Sequence, residues 1–216
     1  MKKLFKNSLS ILFLSILLLA PYKVQAIENT ILENNAYTNA IYDLKMDMRR
    51  LWIDHMWWTR NFIISDLASL DDKEDIFQRL LENQDNIGNS IKPYYGEEAG
   101  NKLSSLLKEH ILLAGKVVDA TKDDSKDDLE KYNKLWHENA DKIADFLSSA
   151  NPNYSNKDLK DMLYKHLQLI TDQAAAMIKK DWKSGIETFD RGEDHIIKLA
   201  DMLSDGIIKQ FPKKFK

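Results

Sequence analysis

Three of the five histidines, His55, His110 and His166, each fall in the middle of an apolar helical stripe on a different segment of the chain. Around His55 the stripe is Leu44, Met48, Leu51, Trp58 and Phe62; around His110 it is Leu103, Leu106, Leu113 and Val117; around His166 it is Leu159, Met162 and Leu169. These are the i, i+3, i+4, i+7 steps of a helix face turned toward a core, and an imidazole buried without a partner is costly. The pattern predicts a polar layer inside a helical bundle. Neutral imidazole is a ligand for zinc, copper, nickel and iron. The first chemistry the layer suggests is therefore a metal site made by His55, His110 and His166, holding a divalent transition ion such as zinc or copper. The chain has no cysteine, so any ion would take nitrogen and oxygen ligands. The alternative is a layer in which each ring exchanges hydrogen bonds with neighbours such as Gln84, Thr59 or buried water.

Other residues bear on that layer. The stripe Phe77, Leu80, Gln84, Ile87, Ile91 places the Gln84 amide on a buried side, where it can support the site. His195 lies with Gly192, Leu199 and Met202, well round from Ile186, Phe189, Ile196, Ala200, Leu203 and Ile207. It is a second supporting residue or faces a groove. Asp66 shares the face of His55 but lies about 16 Å along the helix, too far to share an ion. Glu109 points roughly 100° away from His110. His137, close to Glu130, Lys134 and Asp141, reads as a surface residue. Glu187, Asp190, Asp194, Asp201 and Asp205 form an acidic stripe, which is a solvated face or, at Asp190 and Asp194 beside His195, a shallow cation site. In the cluster Trp52, Trp57, Trp58, Trp58 belongs to the core stripe, whereas Trp57 is an exposed contact or packs under the last helix. Tyr94 and Tyr95, beside a Pro and a Gly, suit an apolar plug at a bundle end.

The elements that must position these groups are helices. Seven glycines and four prolines leave few breaks, and every long segment has helical periodicity. The reading is a first helix over about 37–70 and a second from an N-cap at Asp71–Asp72 to about Ile91. A break follows at Pro93–Gly96, then a third helix over about 97–122 and a fourth over about 128–149. Asn151-Pro152-Asn153 stops the chain, and Ser155 or Asn156 caps a fifth helix. Thr171-Asp172 reads as the N-cap of a sixth, reaching about Gln210, with Gly185 and Gly192 able to kink it. The fold expected is all-α, an antiparallel bundle of five or six helices.

Ahead of the bundle, Lys2, Lys3 and Lys6, the apolar run Ile11–Ala20 and the sequence Val24-Gln25-Ala26 read as a cleavable signal peptide over residues 1–26. Residues 27–216 are then a single exported domain, extracellular or at the cell surface, with no membrane-spanning segment. Removing three lysines from the 31 basic residues leaves 28 against 34 acidic ones, a net charge of −6, which argues against nucleic acid as a partner. The domain must also support itself without disulfides.

Catalytic signatures are missing: the sequence has no Glu-x-x-His pair, HExxH, GxSxG, P-loop or GxGxxG. The blocks Leu51–Arg60, Asn83–Asn89 with Ile91–Gly96, Leu106–Ile111, Phe146–Pro152, and Ala200–Leu203 with Gly206–Pro212 resemble a family of small helical bacterial proteins, over nearly all of the domain. Members of that family often carry the labels glycosyltransferase or acetylglutamate kinase. Those labels would imply alternating strands and helices with a glycine-rich phosphate loop, and the resemblance brings no site residues with it. The function expected is a binding protein with a histidine core site for a divalent metal or small ligand. One alternative is an enzyme, either a metal-dependent hydrolase or the transferase that the resemblance implies. Another is a structural or partner-binding module that uses Trp57 and the acidic stripe.

Overall fold

The computed structural model describes the backbone of residues 8–215 and the side chains of residues 38–215; the leader assigned to residues 1–26 lies outside the residues whose side chains are described. Five helices follow one another: α1 Ser8–Leu67, α2 Lys73–Lys122, α3 Lys126–Ala150, α4 Asn156–Ile178 and α5 Trp182–Gln210. Among the described residues there is no strand, so the fold is the all-α bundle that the periodicity demanded. None of these helices is long and apolar enough, over the described residues, to cross a membrane. The chain divides into two compact units, residues 1–43 with 212–216, and residues 44–211. The first holds the beginning of α1 and the short 3₁₀ turn Pro212–Lys214. The histidines belong to the second.

α2 is two helical arms. Gly96, with φ +86°, leaves the helical region beside Pro93 and breaks the segment in the Pro93–Gly96 stretch. The arms then fold back on each other. A Cβ on Gly88 would lie 2.5 Å from the Gly100 carbonyl oxygen, and one on Gly100 would lie 2.7 Å from that of Gly88. Only glycine permits that approach, and Lys108 pairs with Asp85 across the same seam at 2.6 Å. α1 and α5 run antiparallel, with Lys45 on Asp205 at 2.6 Å, Arg49 on Asp201 at 2.6 Å, and Trp57 edge-on to Phe189 at 5.5 Å. α2 packs on α3, α3 on α4 and α4 on α5.

The helix ends show which local signals governed. The side chain of Ser155 caps α4, accepting from the Asp158 amide at 3.3 Å. Asp72 occupies the N-cap of α2 but makes no side-chain cap bond. The start expected at Thr171 does not exist, because the Thr171 hydroxyl turns back to donate to the Leu167 carbonyl at 2.9 Å and α4 continues to Ile178. The chain breaks instead at Lys180, with φ +58°, and Asp181 caps α5 by accepting from the Ser184 amide at 3.1 Å. α5 then passes Gly185 and Gly192 as one helix. Ile186, expected in its core face, is 51 % exposed, and Leu199 is buried in its place.

Candidate functional site

The three stripe histidines are buried in one layer contributed by α1, the second arm of α2, and α4. His55 and His166 rings lie 5.3 Å apart, and His110 stacks against His166 at 6.2 Å. Gln84 joins them: its amide nitrogen is 3.3 Å from His55 Nδ1.

The hydrogen bonds assign each ring a role. His110 Nδ1–H donates to Asn139 Oδ1 at 2.8 Å, and its Nε2 accepts from the Trp136 indole N–H at 3.1 Å. The Asn139 amide direction is fixed because its amino group donates to the Leu106 carbonyl at 3.1 Å. Both nitrogens of His110 are thus committed to α3. The Gln84 amino group donates to the Leu80 carbonyl at 2.9 Å and to Asn83 Oδ1 at 3.1 Å; an amide nitrogen cannot accept, so the nitrogen of His55 that faces it carries the lone pair and not the proton. The proton of His55 is then on Nε2, donated to His166 Nε2 at 3.3 Å. His166 carries its own proton on Nδ1, a buried atom with no hydrogen-bond partner.

Burial holds all three rings neutral. It pushes His55 down to about 3, with the nearby His110 adding to the shift, and His110 down to about 4 against the opposing bond to Asn139. His166 moves the same way, by burial first and then by the neighbouring histidines.

A neutral layer could in principle hold an ion. Two nitrogens on one tetrahedral zinc, with bonds of about 2.0–2.1 Å, are about 3.3 Å apart, which is the His55–His166 separation. An ion needs more ligands than that pair. His110 could join only by giving up Asn139 or Trp136, and among the described residues no three His, Asp or Glu side chains are grouped as a metal site requires. His195 does not turn inward; its Nε2 lies 2.8 Å from the Met162 carbonyl oxygen on α4, half-buried. Glu109 pairs outward with Lys142 at 3.3 Å. Asp66 is buried near the carboxyl end of α1, accepting from Lys73 Nζ at 3.0 Å.

The acidic stripe is largely spent on ion pairs: Asp201 with Arg49, Asp205 with Lys45, and Glu187 with Lys183. Asp190 and Asp194 are exposed, and the His195 Nε2 is turned to the Met162 carbonyl. Tyr94 and Tyr95 do plug one end against Phe211, and the Tyr95 hydroxyl donates to Gln210 and accepts from Asn151.

Sequence reasoning missed two groups. Asn139 was legible, since it interrupts the α3 stripe Trp136, Ala140, Ile143, Leu147 as the histidines interrupt theirs. The other is a recess where α1, α2 and α4 end and α5 begins. Its volume is about 370 Å³, and it is lined by Ile64, Leu67, Ala68, Met177, Ile178 and Trp182, together with Lys122 and Lys180. These residues come from the ends of four segments distant in sequence, and no local spacing announces them. In the core, by contrast, a cavity of about 20 Å³ lined by groups such as Met48, Trp52, Leu163 and Leu199 has room for about one water. The chain matches no known protein family, no curated protein and no solved structure.

Proposed function

We propose that this chain is an exported, non-catalytic binding protein in which the histidine layer is a hydrogen-bonded spacer and the ligand is taken up in the recess among the ends of α1, α2, α4 and α5. The observation that carries the reading is the contrast between the two regions. The recess, at about 370 Å³, falls within the range of about 300–1,000 Å³ typical of small-molecule sites and is mostly apolar. The histidine nitrogens are turned to one another, to Gln84 and to α3. Trp182, 58 % exposed, and Ile178, 38 % exposed, leave apolar surface that a ligand would cover.

The test uses a neutral apolar fluorophore, N-phenylnaphthylamine, titrated into the protein. Saturable fluorescence enhancement is expected for the native chain. It should be lost in Ala68→Trp, which fills the recess from an exposed position, and kept in Leu112→Trp, which changes an exposed site elsewhere. Absence of saturable binding, or binding that Ala68→Trp leaves intact, overturns the reading.

A further inference from the structure

We infer that the ligand of this recess is a single-chain amphiphile with an anionic head, of the fatty-carboxylate class; the inference rests on the reading that the recess is the binding site. Charge decides the head group. Among the lysines at this end of the bundle, Lys73 and Lys122 are already used: Lys73 Nζ lies 3.0 Å from the buried Asp66 carboxylate, and Lys122 donates to the Asp66 carbonyl at 2.6 Å. Lys183 is paired with Glu187 and Asp181 caps α5. Lys180 lines the recess yet makes no ion pair or side-chain hydrogen bond among the described residues. Lys179 beside it is likewise exposed but does not line the recess, so Lys180 is the lining lysine that has no anionic partner among the described residues.

Such a juxtaposition selects an amphiphile. Ile64, Leu67, Met177 and Ile178 offer an alkyl chain a place out of water, and an ammonium donates its strongest hydrogen bonds to a carboxylate oxygen. A neutral head would leave Lys180 no better paired than before, and a cationic head would be repelled. Lys180 also holds its position through the backbone. It takes the left-handed conformation that ends α4, with its amide donating to the Met177 carbonyl at 3.0 Å and that of Asp181 to Ala176 at 2.9 Å. The side chain therefore starts from a fixed point between α4 and α5.

The experiment displaces bound N-phenylnaphthylamine with decanoate, decanol and decyltrimethylammonium, each below its micelle concentration and at low salt. Decanoate should displace the probe at a concentration about tenfold or more below decanol, as a hydrogen bond to a charged group implies, and the ammonium should be weakest. Lys180→Gln should bring decanoate to within about threefold of decanol while leaving decanol unchanged, and added salt should narrow the native difference as well. Equal displacement by all three overturns the anionic head and leaves the apolar recess standing. A decanoate preference that survives Lys180→Gln overturns the assignment to Lys180. If the probe does not bind in the recess at all, the underlying reading fails and this inference fails with it.

Discussion

His55 Nε2 and His166 Nε2 face each other at 3.3 Å across the interface of α1 and α4, sharing one proton in a layer closed to solvent. Burial keeps these rings neutral, so the pair ties the bundle's stability to pH. The unfolded chain binds protons at histidine near about pH 6.5, whereas burial holds folded His55 at about 3, His110 at about 4 and His166 well below its usual value. Because the folded values are depressed, the stabilisation is complete above about pH 6.5 and is lost as pH falls from there toward about 4. At about pH 5 each ring should cost about 2 kcal/mol relative to pH 8. Urea unfolding followed by circular dichroism should show a midpoint that is flat above pH 7 and drops steeply by pH 5. A midpoint unchanged over that interval would mean the rings protonate in place.

Asn139 answers for His110. Asn139→Ala removes the acceptor of His110 Nδ1–H and the donor to the Leu106 carbonyl in a fully buried position. The expected cost is about 2–4 kcal/mol, from the orphaned His110 N–H at about 1–3 kcal/mol and the lost bond to the Leu106 carbonyl, which keeps its helical partner, at about 1 kcal/mol. Thermal melts at neutral pH measure it; a loss under about 1 kcal/mol would show that the ring finds another partner.

Gly206 and Tyr154 form a second tight pair. A Cβ at Gly206 would meet the Tyr154 ring edge at 1.9 Å, while the Tyr154 hydroxyl is held by the Leu203 carbonyl at 2.5 Å. Gly206→Ala should therefore destabilise by several kcal/mol in the native background, and by much less in Tyr154→Leu, where a smaller side chain gives way. Additive costs in the double variant would contradict this contact.

Metal is the rival occupant of the histidine layer. Purified protein should carry no stoichiometric zinc or copper, and its melting temperature should be indifferent to either ion and to a chelator. A rise with metal that disappears in the triple change of His55, His110 and His166 to Gln would restore the three-histidine site, since an ion bound only by the native state stabilises it.

What the sequence could disclose here follows from how local each determinant is. The bundle and its histidine layer were legible because helical periodicity places His55, Gln84, His110 and His166 on inward faces whatever the helices pack against. The break at Gly96 and the cap at Ser155 were legible because they depend on a few adjacent residues. The sixth-helix start at Thr171 was misplaced because a threonine serves equally as an N-cap or, bonded back to residue i−4, as an interior residue, and the decision fell to Lys180 and Asp181. Whether three inward imidazoles converge on a point or pair off depends on rotation and height between helices. Those were set by partners such as Asn139 and Trp136, which one sequence does not tie to His110. The recess at the helix ends is less local still, because it is assembled from Ile64, Lys122, Met177 and Trp182.

The most direct test of where the protein binds is an amide NMR titration of the native chain with N-phenylnaphthylamine, followed by decanoate. Saturable shifts concentrated at Ala68, Lys122, Ile178, Lys180 and Trp182 are expected, with the amides of His55, Gln84, His110 and His166 unmoved. Shifts concentrated at the histidine layer, with the helix ends silent, would contradict binding in the recess and return the site to the core.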